Sequence, residues 1–420
     1  MKKIFTLLLI FSSLTAAAQN TVRVKDTDGK EEIIDVPENM TMPVDSLLSD
    51  WHAKNYLVPE NDCNDDGTNP VFPDSVYIDR LSRIPSVMEM PYNPIVREFI
   101  DMYSGKLRKS VSYMLGAANF YIPIFEQALD LYNLPYELKF LPVIESALDP
   151  KATSHVGAAG LWQFMLGTAK LYGLEANSLV DERRDPIKAT YAAARYLKDL
   201  YNIYKDWNLV IAAYNCGPGN VNKAIHRANG STDYWTIYNY LPKETRGYVP
   251  AFIAANYIMN YYCDHNICPM EAKLPIATDT ILVNRDLHFQ QIADLCKIDM
   301  ESLHALNPQY KTDIIPGSHS ECILRLPQPA LTAFIDQKDS VYTYHADELF
   351  TKRRQVAVTS TRSSSKSSAR SSRNATYHKI RQGDTLYELA LKYGTTVQKI
   401  KRLNGLRSNN VRVGKRIRIR

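Results

Sequence analysis

Leu141-Pro142-Val143-Ile144-Glu145-Ser146-Ala147 decides how this chain is read. Glu145 closes an apolar run. A carboxylate set among aliphatic side chains loses hydration, so its charged form is disfavoured and its pKa rises. That is how a glutamate becomes a proton donor near neutral pH. Taken alone, a glutamate on an apolar helix is more often a paired or surface residue. Three further motifs change that reading: Gly157-Ala158-Ala159-Gly160-Leu161-Trp162-Gln163-Phe164-Met165, Ala213-Tyr214-Asn215-Cys216-Gly217 and Glu244-Thr245-Arg246-Gly247-Tyr248-Val249.

Working outward, apolar residues recur at helical spacing. Ile78, Leu81, Ile84 and Val87 do so, as do Ile95, Phe99, Ile100 and Tyr103. Further helices are predicted over roughly 107–117, 120–132, 135–147, 163–172, 186–204, 207–214, 218–227 and 245–263, with Gly and Pro between them. No run of alternating strands interrupts the pattern. Residues 77–270 are therefore expected to form an all-helical domain of many short helices. A chain of 420 residues exceeds one ordinary core, so two or three domains are expected.

The flanks differ in kind. Lys2-Lys3, the apolar stretch Ile4 to Leu14 and Ala16-Ala17-Ala18 read as a secretory signal over 1–18. Export is thus expected. The first cysteine is Cys63, so lipid attachment at the cleavage site is not expected. Residues 19–76 mix Asp, Glu, Asn and Pro with weak periodicity, and are expected to be an irregular, partly disordered lead-in. A small mixed unit comes next at 274–328, with Thr280-Ile281-Leu282-Val283 as a strand. Residues 351–376 hold eight serines and seven Lys/Arg with almost nothing to bury, the composition of a flexible tether. The last unit, 377–420, is expected to run strand, helix, helix, strand. The two small units share a pattern at an offset of 97: Phe289 with Leu386, Ile292 with Leu389, Ala293 with Ala390, Leu303 with Ile400, Leu306 with Leu403, Asn307 with Asn404 and Gly317 with Gly414. The first copy lacks the Gly383-Asp384-Thr385 turn and reads as degenerate.

Charge is unevenly spread. Residues 377–420 carry twelve Lys/Arg against two Asp/Glu, and 351–376 carry no acid, whereas the other 350 residues hold 31 basic and 43 acidic groups. A basic tail invites a nucleic-acid reading. Export argues against it, and attraction to an anionic envelope polymer or lipid surface fits better. Six cysteines allow fifteen pairings. Cys263–Cys268 and Cys296–Cys322 are closest in sequence, and free buried thiols are the competing reading. No Cys/His cluster has metal-ligand spacing, so zinc is not expected and no cofactor is implied. Cys216 has no activating histidine in sequence and reads as packing. Asn229-Gly230-Ser231 and Asn374-Ala375-Thr376 match a pattern for eukaryotic glycosylation and are discounted.

In order and spacing, the four motifs resemble those of the soluble lytic transglycosylase family, whose fold is similar to goose-type lysozyme. The stretch from about Tyr77 through Glu145, together with the C-terminal repeats, looks like the membrane-bound lytic murein transglycosylase D subgroup. The last 44 residues resemble a LysM domain. The resemblance implies a mainly α fold: a lysozyme-like helical domain with small βααβ LysM modules. It implies non-hydrolytic cleavage of the β-1,4 bond between N-acetylmuramic acid and N-acetylglucosamine in peptidoglycan, leaving a 1,6-anhydro end. The implied partner is the glycan strand, with no nucleic acid and with peripheral envelope association.

Site roles come from matching positions. Glu145 is the implied single general acid and base. Ser154 falls where the family has a serine near the acetamido group, and Gln163 and Met165 fall in the cleft-lining segment. Of Tyr214 and Asn215, the tyrosine would hydrogen-bond the glutamate and the asparagine the sugar. Glu244 and Tyr248 carry over from the last motif. Gly157 and Gly160 suit a backbone bent close to the sugar. Trp162 has two readings, a wall of the glutamate pocket or a sugar platform. Asp149, just before Pro150, is the nearest second carboxylate, with a helix-ending turn as its better role. His155 receives no role. In the last module Gly383, Asp384, Thr385, Leu386, Asn404, Gly405 and Leu406 form the loops that hold glycan in the family. Two other functions are compatible with the same residues: a hydrolytic muramidase on the same fold, and a non-catalytic wall-binding scaffold.

Overall fold

Two proline-started, side-chain-capped helices set the frame of the helical domain. The computed structural model describes residues 21–25, 31–42, 57–59, 67–272, 277–350, 377–380, 386, 389–390, 393, 395, 397–406 and 414–419. β1 (Thr21–Lys25) and β2 (Glu31–Asp35) pair antiparallel, and a 3-10 turn spans Glu38–Thr41. β3 (Leu57–Pro59) pairs later with β4 (Met270–Ala272). Then come α1 (Asp74–Arg83), α2 (Pro94–Ser104), α3 (Arg108–Leu131), α4 (Leu141–Ser146), α5 (Leu166–Leu171), α6 (Pro186–Tyr204), α7 (Trp207–Cys216), α8 (Pro218–Arg227), α9 (Tyr234–Ile237) and α10 (Lys243–Tyr261).

The caps explain the starts. Asn93 accepts from Val96 N at the head of α2, and Asp185 from Ile187 N and Lys188 N at the head of α6. Each is followed by proline, whose missing N–H is an orphan at that position anyway. α10 forms the centre, with Tyr248 through Met259 all buried. It packs on α2 and α7. Gly217, at φ 81°, ends α7 and starts α8.

Three expectations change here. Residues 107–117 and 120–132 are one helix of 24 residues, α3, with Pro123 inside it. Pro123 is exposed, so the carbonyl freed by its missing N–H lies on the solvent side of the helix. Ile78 and Val87 face solvent rather than the core. The third change concerns the lead-in. Val22, Val24, Ile34, Val36 and Met40 belong to the main hydrophobic core. The hairpin is thus part of the helical domain, because its alternating apolar face has a helical surface to cover. Among the described residues, no helix is long and apolar enough to cross a membrane. Cys268 is disulfide-bonded, whereas Cys216, Cys263, Cys296 and Cys322 are free. Neither Cys263–Cys268 nor Cys296–Cys322 is therefore formed.

The first small unit consists of β5 (Thr278–Val283), β6 (Asp286–His288), α11 (Phe289–Cys296), α12 (Met300–Leu306), β7 (Ile314–Pro316) and β8 (Cys322–Pro327), extended by α13 (Gln328–Asp336), α14 (Lys338–Thr343) and α15 (Ala346–Leu349). β5 pairs with β8 and β6 with β7. In the last unit β9 (Tyr377–Lys379) pairs with β10 (Arg416–Arg418), and α16 spans Val397–Asn404. The repeat holds in the cores: Phe289, Ile292, Leu303, Leu386, Leu389, Ala390 and Ile400 are all buried. It holds in one polar detail too. Asn307 exchanges hydrogen bonds with the backbone of Arg325, and Asn404 does the same with Arg418.

The Gly317–Gly414 match does not hold. The asparagine lies 18 residues before its strand partner in the first unit and 14 in the last, so a longer loop shifts the register. The first unit is also bolted to the helical domain. Asp181 N donates to Gln309 O and Lys311 N to Leu179 O, each at 2.8 Å. Val180 sits in the small unit's own core.

Candidate active site

α4 is only six residues long, with Pro142 in its first turn. It leaves the helix through Ala147 and Leu148, whose φ values are 50° and 61°. Leu148 N returns to Pro142 O at 3.3 Å and Ala147 N to Val143 O at 3.2 Å, the paired closure of a left-handed helix end. Ser146 is wholly buried. Its hydroxyl lies 3.0 Å from Pro142 O and 2.9 Å from Leu161 O, tying α4 to the glycine-rich loop. The serine of the Glu-Ser pair is therefore structural.

Glu145 projects from this end. Protein surrounds its carboxyl, although part of the residue still reaches the cleft. Burial pushes its pKa up to about 8, a hydrogen bond from Tyr248 opposes the rise, and the charge of Glu244 adds to it. The acid is thus mainly protonated at neutral pH.

The cleft has a volume of about 380 Å³. Glu145 lines it, and so do all seven other residues expected from sequence: Ser154, Gln163, Met165, Tyr214, Asn215, Glu244 and Tyr248. Their detailed geometry differs from expectation in one respect. The Tyr214 hydroxyl donates to Trp162 O at 2.8 Å, while the Tyr248 hydroxyl bonds Glu145. Tyr214 stands on α7 and fixes the loop; α10 delivers the tyrosine that touches the acid.

The remaining polar groups are also held. Asn215 accepts from the Thr245 hydroxyl at 2.8 Å, which fixes the orientation of its amide. Ser154 accepts from Ala158 N at 3.1 Å and closes the loop between them. Gln163 has φ 44°, and its amide nitrogen donates to Gly160 O at 2.8 Å. Its side-chain oxygen is buried on the cleft wall without a partner among the described residues, an acceptor that a ligand hydroxyl or amide could satisfy. Met165 is exposed at the cleft rim.

Other residues leave the site. Trp162 is 1 % exposed and donates to the Thr190 hydroxyl at 2.8 Å, so it is core and no sugar platform. Asp149 accepts from Lys151 N at 2.7 Å in the turn after α4 and does not line the cleft. Gly160 is required for a different reason than expected. At φ 85°, any Cβ would sit 1.8 Å from Arg183 O, so the close approach is to protein backbone. Cys216 lines the cleft, but burial pushes its thiol up to about 11, which suits packing better than nucleophilic chemistry. In the last module Gly383, Asp384 and Thr385 lie outside the described residues. Leu386 is core, Leu406 packs against that module's core, Asn404 pins α16 to β10, and Gly405 turns at φ 64°. The side chains of Leu386 and Asn404 thus hold the fold of this module.

Pro37, Glu38 and Asn39 also line the cleft. Asn39 Nδ2 donates to Glu145 O at 2.7 Å, and Glu38 meets His155 Nδ1 at 2.6 Å. These residues escaped the motif reading. A signal was present in sequence: Thr21-Val22-Arg23-Val24-Lys25 alternates strictly, and Asp28-Gly29 is a pair of residue types that favours a hairpin turn.

A buried acid at the end of a short helix, facing a cleft walled by a glycine-bent loop and helices, defines a lysozyme-like domain. Family models agree. Residues 123–237 match the Transglycosylase SLT domain, 277–343 the Lytic transglycosylase MltD, LysM-like domain, and 378–420 the LysM domain. The chain thus carries an SLT domain followed by two LysM-type modules. It is 30% identical over 294 residues to the membrane-bound lytic murein transglycosylase D of Escherichia coli (strain K12), covering 68% of this chain and 60% of that protein. It is 34% identical over 124 residues to the soluble lytic murein transglycosylase of the same strain, covering 28% of this chain and 19% of that protein. It is also 40% identical over 94 residues to a putative tributyltin chloride resistance protein of Alteromonas sp. (strain M-1), covering 22% of this chain and 45% of that protein.

Proposed function

We propose that this chain is an exported peptidoglycan lytic transglycosylase of the cell envelope, acting with Glu145 as its single acid and base. The observation that carries the reading is Glu145 itself, an acid raised to about 8 and in contact with Tyr248 on the wall of an open cleft. At neutral pH it holds the proton that a glycosidic oxygen needs as its bond to the muramyl C1 breaks. The carboxylate left behind then takes the proton of the muramyl C6 hydroxyl as that oxygen bonds to C1. One bond breaks and one forms, one proton is given and one returned, and no water is consumed. Tyr248 donates to the transient carboxylate and so favours the charged state. The orphan oxygen of Gln163 and the held amide of Asn215 are suited to bind sugar hydroxyl and acetamido groups.

The glycan strand is the partner on this reading. The basic LysM module, joined through the Ser-rich segment, would raise the local concentration of glycan at the cleft. A second reading has one specific support. Glu244 shares the cleft and raises the acid's pKa, so it could serve a muramidase as the base that activates water. Mass spectrometry of digested sacculi decides between them. Anhydromuramyl ends are expected; reducing ends, heavier by one water, would establish the hydrolase.

A further inference from the structure

Glu145 and Tyr248 each depend on the same outside element. The paired closure of α4 satisfies the carbonyls of Pro142 and Val143, whereas the carbonyl of Glu145 takes its donor from Asn39, 106 residues upstream. The residues just before Tyr248 are fitted to β2. Gly247 has no side chain where a Cβ would lie 2.3 Å from Asp35 O. Arg246 Nη1 bonds Glu32 Oε1 at 3.0 Å. The turn is fastened a third time, to the loop that carries Ser154: Glu38 accepts from His155 N at 3.2 Å and meets its Nδ1. Val22, Val24, Ile34 and Val36 anchor the hairpin in the main core.

We infer that the hairpin and its 3-10 turn (residues 21–25 and 31–42) are the positioning frame of the Glu145–Tyr248 pair, with Asn39 as the positioning residue of the acid. The inference rests on the lytic reading above. Asn39 touches the backbone of Glu145, so it acts on the chemistry through that residue. A proton donor must stand within hydrogen-bond reach of the leaving oxygen, and a displacement near 1 Å can cost about a hundredfold. Loss of the Asn39 donor frees the end of α4 at the turn through Ala147 and Leu148. The effect falls on turnover, because the sugar-binding groups stand on other elements.

Asn39→Ala and the isosteric non-donor Asn39→Asp test this in the full chain, with activity normalised to the folded fraction. On soluble glycan fragments kcat is expected to fall about ten- to a hundredfold, with KM within about twofold of the parent. Amide exchange at Ala147 and Leu148 is expected to speed up about tenfold while the centre of α10 stays protected. A rise in KM at unchanged kcat would make the turn a sugar contact and overturn the frame. So would parental kcat and parental exchange in both variants. Exchange is read without substrate. If the parent releases no anhydromuramyl ends, the lytic reading fails while exchange still decides whether Asn39 holds α4.

Discussion

The cleft has two walls of different origin. One is written in motifs: α4 with Glu145, the glycine-bent loop with Gln163, and α7 with Tyr214 and Asn215. The other is the turn after β2, with Pro37, Glu38 and Asn39, which no motif announces. The first wall carries the groups proposed to react and to bind sugar. The second supplies hydrogen bonds to their backbone. Chemistry is encoded locally because it depends on side-chain type at one place. Positioning is distributed because any donor of suitable reach can supply it from anywhere in the chain.

The sharpest test of the motif wall is Glu145→Gln. It is expected to lower lytic activity by about 10³-fold or more while glycan binding persists. Digestion of sacculi at the parental rate would break the assignment of the acid. A smaller effect tests the link between the walls, where Tyr248 stands on α10 next to the residues fitted to β2. Tyr248→Phe is expected to cost about tenfold in kcat and to move the basic limb of the pH–rate profile upward from about 8. The sign comes from the hydrogen bond: Tyr248 favours the carboxylate, so its loss raises the acid's pKa further. A limb that moves downward would contradict this arrangement.

The third test concerns stability. Glu145 is raised in the folded state, so the native protein binds more protons than the unfolded chain between the ordinary carboxylate range and about 8. Stability from this group is full at acid pH and is lost as pH rises through that window. Glu145→Gln removes the loss. It is expected to gain about 2 kcal/mol at pH ~9, after discounting the full shift for partial exposure, and almost nothing at pH ~4. Equal melting temperatures at alkaline pH would mean that burial does not strain the acid. The smallest effect is expected from removing 351–420. Binding to sacculi should weaken, while turnover of soluble fragments stays within about twofold. Equal loss of both would tie the last module to the cleft itself.

The LysM-type modules repeat the lesson of the two walls. Their shared core could be read at one offset, and Asn307 and Asn404 play the same role. The register slip in the last strand could not, because an inserted loop leaves the buried positions unchanged and shifts only the residues beyond it. The fixed seat of the first module was equally invisible. It depends on backbone groups of Leu179, Asp181, Gln309 and Lys311, which every residue type but proline possesses. The expectation that Tyr214 bonds the glutamate failed for a related reason. Both line the cleft, and only the approach of α10 decides which hydroxyl reaches the acid.

By itself the sequence determined the helical class, since hydrophobic period is a local property, and its motifs, through the family they resemble, picked out Glu145 and the side chains that share its cleft. Tertiary structure alone decided which tyrosine meets Glu145, that Asn39 caps its helix, that Gly160 and Gly247 are needed against protein backbone, and that the N-terminal hairpin belongs to the site. Each of those depends on two distant segments meeting within a few ångströms, and neither segment carries that distance in its own residues.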